Sequence, residues 1–202
     1  VITGTSTANL TETDAAQNTG GTLSATDVDS SAAFVVQTNV AGSNGYGTFS
    51  IDAAGVWTYT MNDAHDEFVG GTTYTDSITV ATADGTSQLI TVSILGTNDA
   101  AVITGTSTAN LTETDAAQNT GGTLSATDVD SSAAFVVQTN VAGSNGYGTF
   151  SIDAAGVWTY TMNDAHDEFV GGTTYTDSIT VATADGTSQL ITVSILGTND
   201  AA

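Results

Sequence analysis

The second half of this chain repeats the first residue for residue: Val1 to Ala101 is followed by the same string from Val102 to Ala202. A unit of this length lies in the usual range of a single domain and can bury a core of its own. Solenoid repeats of about 20 to 50 residues, by contrast, need neighbours to cover their apolar face. The sequence therefore predicts two domains, 1–101 and 102–202, strung like beads with contacts confined to one end-to-end junction. Copying a whole domain suits an array that spans distance, stacks binding sites or resists force better than it suits an enzyme.

The chain carries 22 acidic side chains, no Lys and no Arg, for a formal net charge of -22, so no internal salt bridge is expected. Long acidic chains are often disordered, but here 40% of the residues are hydrophobic and fall in regular runs, which argues for a folded core. Folding must then bring carboxylates together without basic partners, and a like-charged pair at about 4 Å costs roughly 4 kcal/mol at an effective dielectric near 20. An external cation is the obvious neutraliser. With no Cys and only two His, the available donors are oxygens, which suits a hard cation such as calcium. Nucleic acid and anionic membrane surfaces both require basic residues and are disfavoured as partners. No apolar run approaches the length of roughly 18 residues that membrane insertion needs. The lack of Cys removes disulfides and thiol catalysis.

Gly, Thr, Ser, Asn and Asp punctuate short runs of Val, Ile, Tyr, Phe and Trp, the pattern of an all-β sandwich. Strands are predicted near 7–12, 22–27, 33–40, 46–52, 55–61, 73–83 and 87–96, after a short stretch at 1–3. About seven strands suit a Greek-key sandwich. Phe49 and Ile51 alternate with polar neighbours, a turn at 52–55 ends on Gly55, and Trp57, Tyr59 and Met61 resume the alternation, which reads as a hairpin. The string NDAHDEF at 62–68 breaks the alternation and reads as a loop or a single helical turn.

Acidic residues recur in groups: Glu12 with Asp14, Asp27 with Asp29, Asp63 with Asp66 and Glu67, Asp84 before Gly85, and Asn98 with Asp99. An isolated Asp beside Gly is ordinarily a turn residue. Strand topology, however, places Asp27, Asp29 and Asp84 at the end of the sandwich that holds the N-terminus. It places Glu12, Asp66, Glu67, Asn98 and Asp99 at the other end. Where two copies join, that second set is expected to meet Asp128, Asp130 and Asp185 of the next copy, giving enough oxygen donors for one or more Ca²⁺ ions. The same lower set recurs in the second copy as Glu113, Asp167, Glu168, Asn199 and Asp200.

The strings TLSATDVD, YGTFSID, GVWTYTM, TDSITVATADGT and ITVSILGTND, which run through each copy, resemble the VCBS-type, cadherin-like repeats of giant bacterial RTX adhesins. The resemblance implies tandem Ig-like, cadherin-like sandwiches rigidified by calcium, copied between a membrane-proximal anchor and ligand-binding domains at a far tip. It also implies roles. The ATDVD segment ending at Asp29 offers Asp27 and Asp29 upward to a linker ion, Glu12 stands for the first-strand glutamate, and Asp66 with Glu67 for the acidic pair of the lower loop. GTND at 96–99 stands for the linker acids and ATADG at 81–85 for the Asp-Gly loop. The linker is shorter in acids than a full cadherin run, and the lower loop has no Arg.

The leading expectation is thus a monomeric structural extender on the outside of a bacterial cell, whose partners are the neighbouring identical repeats of the same chain. A stiff rod reaches further than a flexible chain, whose span grows only as the square root of its length. The alternative is an adhesion module that binds a polysaccharide or a matching domain, but Trp57, Tyr59 and Phe49 alternate as core residues do. Catalysis is least favoured: His65 beside Asp63 and Asp66 reads as part of a solvated loop, and no Ser elbow, Cys or Lys completes a site.

Overall fold

A computed structural model describes residues 1–199, so the expectation for Asp200 lies outside the described residues. The chain divides into two compact units, Val1–Asp99 and Ala100–Ala202. The first contains β1 (Ile2–Gly4), β2 (Thr7–Thr11), β3 (Asn18–Ala25), β4 (Gln37–Ala41), β5 (Gly47–Ile51), β6 (Val56–Met61), β7 (Thr73–Ala81) and β8 (Ser87–Leu95). The second repeats the order as β9 (Val102–Gly105), β10 (Thr108–Thr112), β11 (Asn119–Thr127), β12 (Gln138–Ala142), β13 (Gly148–Ile152), β14 (Val157–Met162), β15 (Thr174–Ala182) and β16 (Ser188–Leu196). No helix interrupts them among the described residues.

In the first unit five strands form one sheet in the order β1-β3-β6-β5-β4, and three form the other in the order β2-β8-β7. The first strand is split between them: β1 pairs antiparallel with β3, and β2 runs parallel to β8. The crossing is made at Gly4, whose φ of 104° favours glycine, and at Thr5, whose carbonyl accepts the Trp57 indole N–H at 2.7 Å. Between the sheets lie Leu23, Phe49, Ile51, Trp57, Tyr59, Val80, Ile90, Val92 and Ile94, all nearly inaccessible to solvent. Leu124 through Ile195 build the equivalent core of the second unit. The alternation of Trp57, Tyr59 and Met61 with exposed Val56, Thr58 and Thr60 gives β6, the central strand of its sheet, one face turned into the core.

Two strands differ from the sequence expectation. The third begins at Asn18, not Thr22, because Gly20 and Gly21 are not turn residues. They lie opposite Thr58 and Trp57, where a Cβ on Gly20 would run into the Trp57 carbonyl and one on Gly21 would lie 2.9 Å from its indole nitrogen. The fourth spans Gln37–Ala41 and not 33–40, since Phe34 bridges instead to Thr82, just past the end of β7, and the Val35 N–H bonds the Ala81 carbonyl at 2.8 Å. A bulge then turns the strand towards β5, with Asn39 at a φ of 50°.

Among the described residues every acid except Asp76 and its repeat Asp177 lies outside the strands, in the loops at the two ends of each unit. The two exceptions are buried and satisfied. Asp76 accepts the N–H groups of Asn44 (2.8 Å), Gly47 (3.1 Å) and Ser77 (3.2 Å) and the Tyr59 hydroxyl (3.1 Å), so one carboxylate anchors the 42–47 turn to the core. Burial, followed by the neighbouring Asp76 charge, drives the Tyr59 pKa well above its ordinary value, so the phenol remains a donor.

Candidate metal centre

The end of each unit away from its first residue is built from three segments. Glu12 follows directly on β2, and its N–H bonds the Leu95 carbonyl at 2.8 Å, which ties it to the end of β8. The chain after β8 then passes over it: Thr97 donates both its N–H (3.0 Å) and its hydroxyl to Glu12 Oε2. Gly70 and Gly96 allow the 66–70 loop to lie against this segment, because a Cβ at Gly96 would sit 2.5 Å from the Val69 carbonyl and one at Gly70 would sit 3.0 Å from Asn98 N. Asp66, Asp99 and Glu12 are thereby gathered, with one carboxylate oxygen from each within 4.8 Å of the others.

Glu12 is only 1% exposed, and its Oε1 is buried without a hydrogen-bond partner; Oδ1 of Asp66 is in the same condition. A buried carboxylate oxygen without a donor costs on the order of 1 to 3 kcal/mol or more, and a charged group stands at the upper end of that range. The chain has no Lys or Arg to supply the missing partner. The donor set therefore fits a hard divalent cation, for which carboxylate oxygens are the natural ligands. In the second unit Glu113, whose Oε1 is again buried and unpaired, is grouped with Asp167 and with Asp115. Asp115 repeats Asp14, which the sequence pairs with Glu12 but which is not among the expected ligands.

Other expected ligands are placed differently. Glu67 is not part of the group; it is turned towards His65, with Oε1 2.8 Å from Nδ1, and Glu168 does the same with His166. This corrects two expectations, that the chain has no internal ion pair and that His65 lies in a solvated loop. The imidazole is buried and faces only acceptors: Glu67 at Nδ1, and the Tyr46 carbonyl (2.9 Å) and Asn62 Oδ1 (2.8 Å) at Nε2. The Asn62 orientation is fixed by its Nδ2, which donates to the Gly45 carbonyl at 2.8 Å. Burial opposes a charged ring, but the Glu67 hydrogen bond and the Tyr46 carbonyl outweigh it and raise the His65 pKa, while the His65 hydrogen bond lowers that of Glu67. The ring stacks on Phe68 with centroids 4.7 Å apart, and Phe68 stacks on Tyr74 at 3.9 Å. Both ring nitrogens are thus engaged by protein oxygens, and the imidazole is held within the packing of the loop.

Asn98 spans the same end, its Nδ2 donating to the Asp99 carbonyl at 2.9 Å. At the opposite end Asp27 Oδ1 accepts the N–H groups of Asp29 (3.0 Å) and Ser30 (2.9 Å), which holds its pKa well below the carboxylate norm. Asp84 lies close enough to Asp27 for the two to interact, but the Thr82 hydroxyl and the Thr86 donors still keep its pKa low. The second unit has the same turn at Asp128, which accepts Asp130 N–H at 3.1 Å and Ser131 N–H at 2.7 Å.

The model of the bacterial cadherin-like domain matches residues 1–96 and again 98–197. No curated protein matches the chain. Solved structures with a similar fold include PcdhgB3 EC1-4, at 16% identity and a TM-score of 0.52 over 97% of this chain and 49% of that one. Protocadherin gammaB7 EC3-6 aligns at 14% identity and a TM-score of 0.51 over 96% of this chain and 47% of that one. The chain thus spans about half the length of these structures, which share its fold and little of its sequence. Sandwiches with a split first strand, acids drawn to both ends and a family match over each repeat lead to one assignment: the chain belongs to the bacterial cadherin-like domain family, with two such domains in tandem.

Proposed function

We propose that this chain is an extender segment of a bacterial surface adhesin of the RTX type, and that calcium held by its end-loop carboxylates stiffens it into a rod. The observation that carries the reading is the pair of buried oxygens, Glu12 Oε1 and Asp66 Oδ1, gathered with Asp99 in a chain without a basic side chain to answer them. Asp128 and Asp130, expected from sequence to take part in calcium binding, form a second set to mutate. An array of this kind works outside the cell, where calcium is plentiful, and its identical domains provide length while other regions provide adhesion. The reading of each domain as a ligand binder has less support: Trp57, Tyr59 and Phe49, the aromatics a sugar platform would use, are all in the core.

Calcium titration calorimetry on the two-domain chain tests this reading. Binding is expected in the wild type and is expected to be lost at the first-unit site in Glu12→Gln and Asp66→Asn. A wild type that takes up no calcium at millimolar concentration would sink it.

A further inference from the structure

The turn that follows β7 recurs after β15, where the residue before β9 is seen to join it. In the first unit the Asp84 carboxylate accepts three donors: the Thr82 hydroxyl, the Thr86 N–H at 3.1 Å and the Thr86 hydroxyl at 2.9 Å. In the second unit Asp185 Oδ1 accepts the Thr183 hydroxyl and the Thr187 N–H at 3.2 Å, and Oδ2 accepts the Thr187 hydroxyl at 2.5 Å. A fourth donor is added there: the backbone N–H of Ala101 lies 3.0 Å from Asp185 Oδ2 and 3.1 Å from Thr187 Oγ1. Ala101 belongs to the second unit, is only 6% exposed, and immediately precedes β9.

A carboxylate offers about four lone-pair positions, and at Asp185 four donors occupy them. Little is left for a cation, although this aspartate was expected from sequence to be a calcium ligand. We propose that the 183–187 turn is a clasp for the incoming chain, in which Asp185 receives the Ala101 N–H in place of a metal ion. The bond is of the charge-assisted type, stronger than a neutral N–H···O contact. Its donor is a main-chain group, so the clasp accepts any residue at position 101 except proline, which lacks the N–H. Because no ion takes part, it seats the start of β9 in the presence or absence of calcium. Only this purpose rests on the extender reading; the clasp itself does not.

Amide hydrogen exchange on the two-domain chain, in calcium and again in EDTA, provides the test. The Ala101 amide is expected to be protected under both conditions, and to exchange about tenfold faster in Asp185→Asn and in Thr187→Val, with the core amides of β15 and β16 unchanged. Two variants guard against a misfolded result, since Thr187→Val leaves the carboxylate in place. In a calcium titration Asp185→Asn is expected to bind as the wild type does, whereas Glu12→Gln loses a site. An Ala101 amide that exchanges freely in EDTA overturns the proposal, as does an Asp185→Asn variant that loses calcium binding as Glu12→Gln does. If the clasp amide is protected but the chain binds no calcium, the extender reading fails and the clasp stands.

Discussion

Glu12 shows how one residue can be read from sequence in kind but not in detail. Its identity and its place after the first strand were legible, and so was its company with Asp66 and Asp99. That Thr97 would satisfy one of its oxygens and leave the other buried and unanswered was not, because this depends on the path of the chain after β8. Glu12→Gln with Glu113→Gln removes two uncompensated carboxylates. The double variant is therefore expected to melt higher than the wild type in EDTA, by a contribution of about 1 to 3 kcal/mol per site, and to gain little when calcium is added. Thermal melts of both proteins with and without calcium check this. Tyr59 supplies the pH dependence. Its folded pKa is raised above the unfolded value of 10.0, so its contribution is complete below pH 10 and declines as the unfolded chain ionises at higher pH. Tyr59→Phe with Tyr160→Phe is expected to flatten that alkaline decline, while lowering stability at pH 7 by about 1 kcal/mol per site through the lost hydrogen bond to Asp76 or Asp177. Denaturant midpoints measured from pH 7 to pH 11 read both effects.

Among the elements, those with strict alternation were found where the sequence put them. The β5–β6 hairpin and the long β7–β8 pair are set by Phe49, Ile51, Trp57, Tyr59, Ile78, Val80, Ile90, Val92 and Ile94, each pointing into the core. The elements that were misread depend on contacts distant in sequence. The sequence starts the third strand only after Gly20 and Gly21, yet both pair within it, because Trp57 fills the space that a side chain would need. The NDAHDEF loop looks solvated until Phe68 is stacked between His65 and Tyr74. Such order comes from aromatic packing across loops, to which a test of periodicity is blind. Gly20→Ala in the first unit is expected to destabilise it by more than about 2 kcal/mol, since the new methyl meets backbone and the sheet must shift to admit it. A denaturation curve in which one unit unfolds early and the other as before is the expected record; an unchanged curve would show that β3 can move away from Trp57.

For the molecule as a whole, the arrangement of charge matters more than its amount. Strands that must pair and pack carry no exposed carboxylate, and the acids are displaced to the loops at both ends of each unit, where repulsion is answered by turn N–H groups or by the cation proposed above. This segregation was legible in the sequence once the strands were assigned, because the acids fall between hydrophobic runs. Calcium is therefore expected to act at the ends of the domains and to leave their sheets alone. The decisive measurement is small-angle scattering from the two-domain chain in millimolar calcium and in EDTA, with the Glu12→Gln, Glu113→Gln double variant as control. Stiffening by calcium at the domain ends predicts an extended, narrowly distributed particle in calcium that becomes more variable in EDTA, and a double variant that responds weakly or not at all. Profiles for the wild type that superimpose in calcium and EDTA would contradict it.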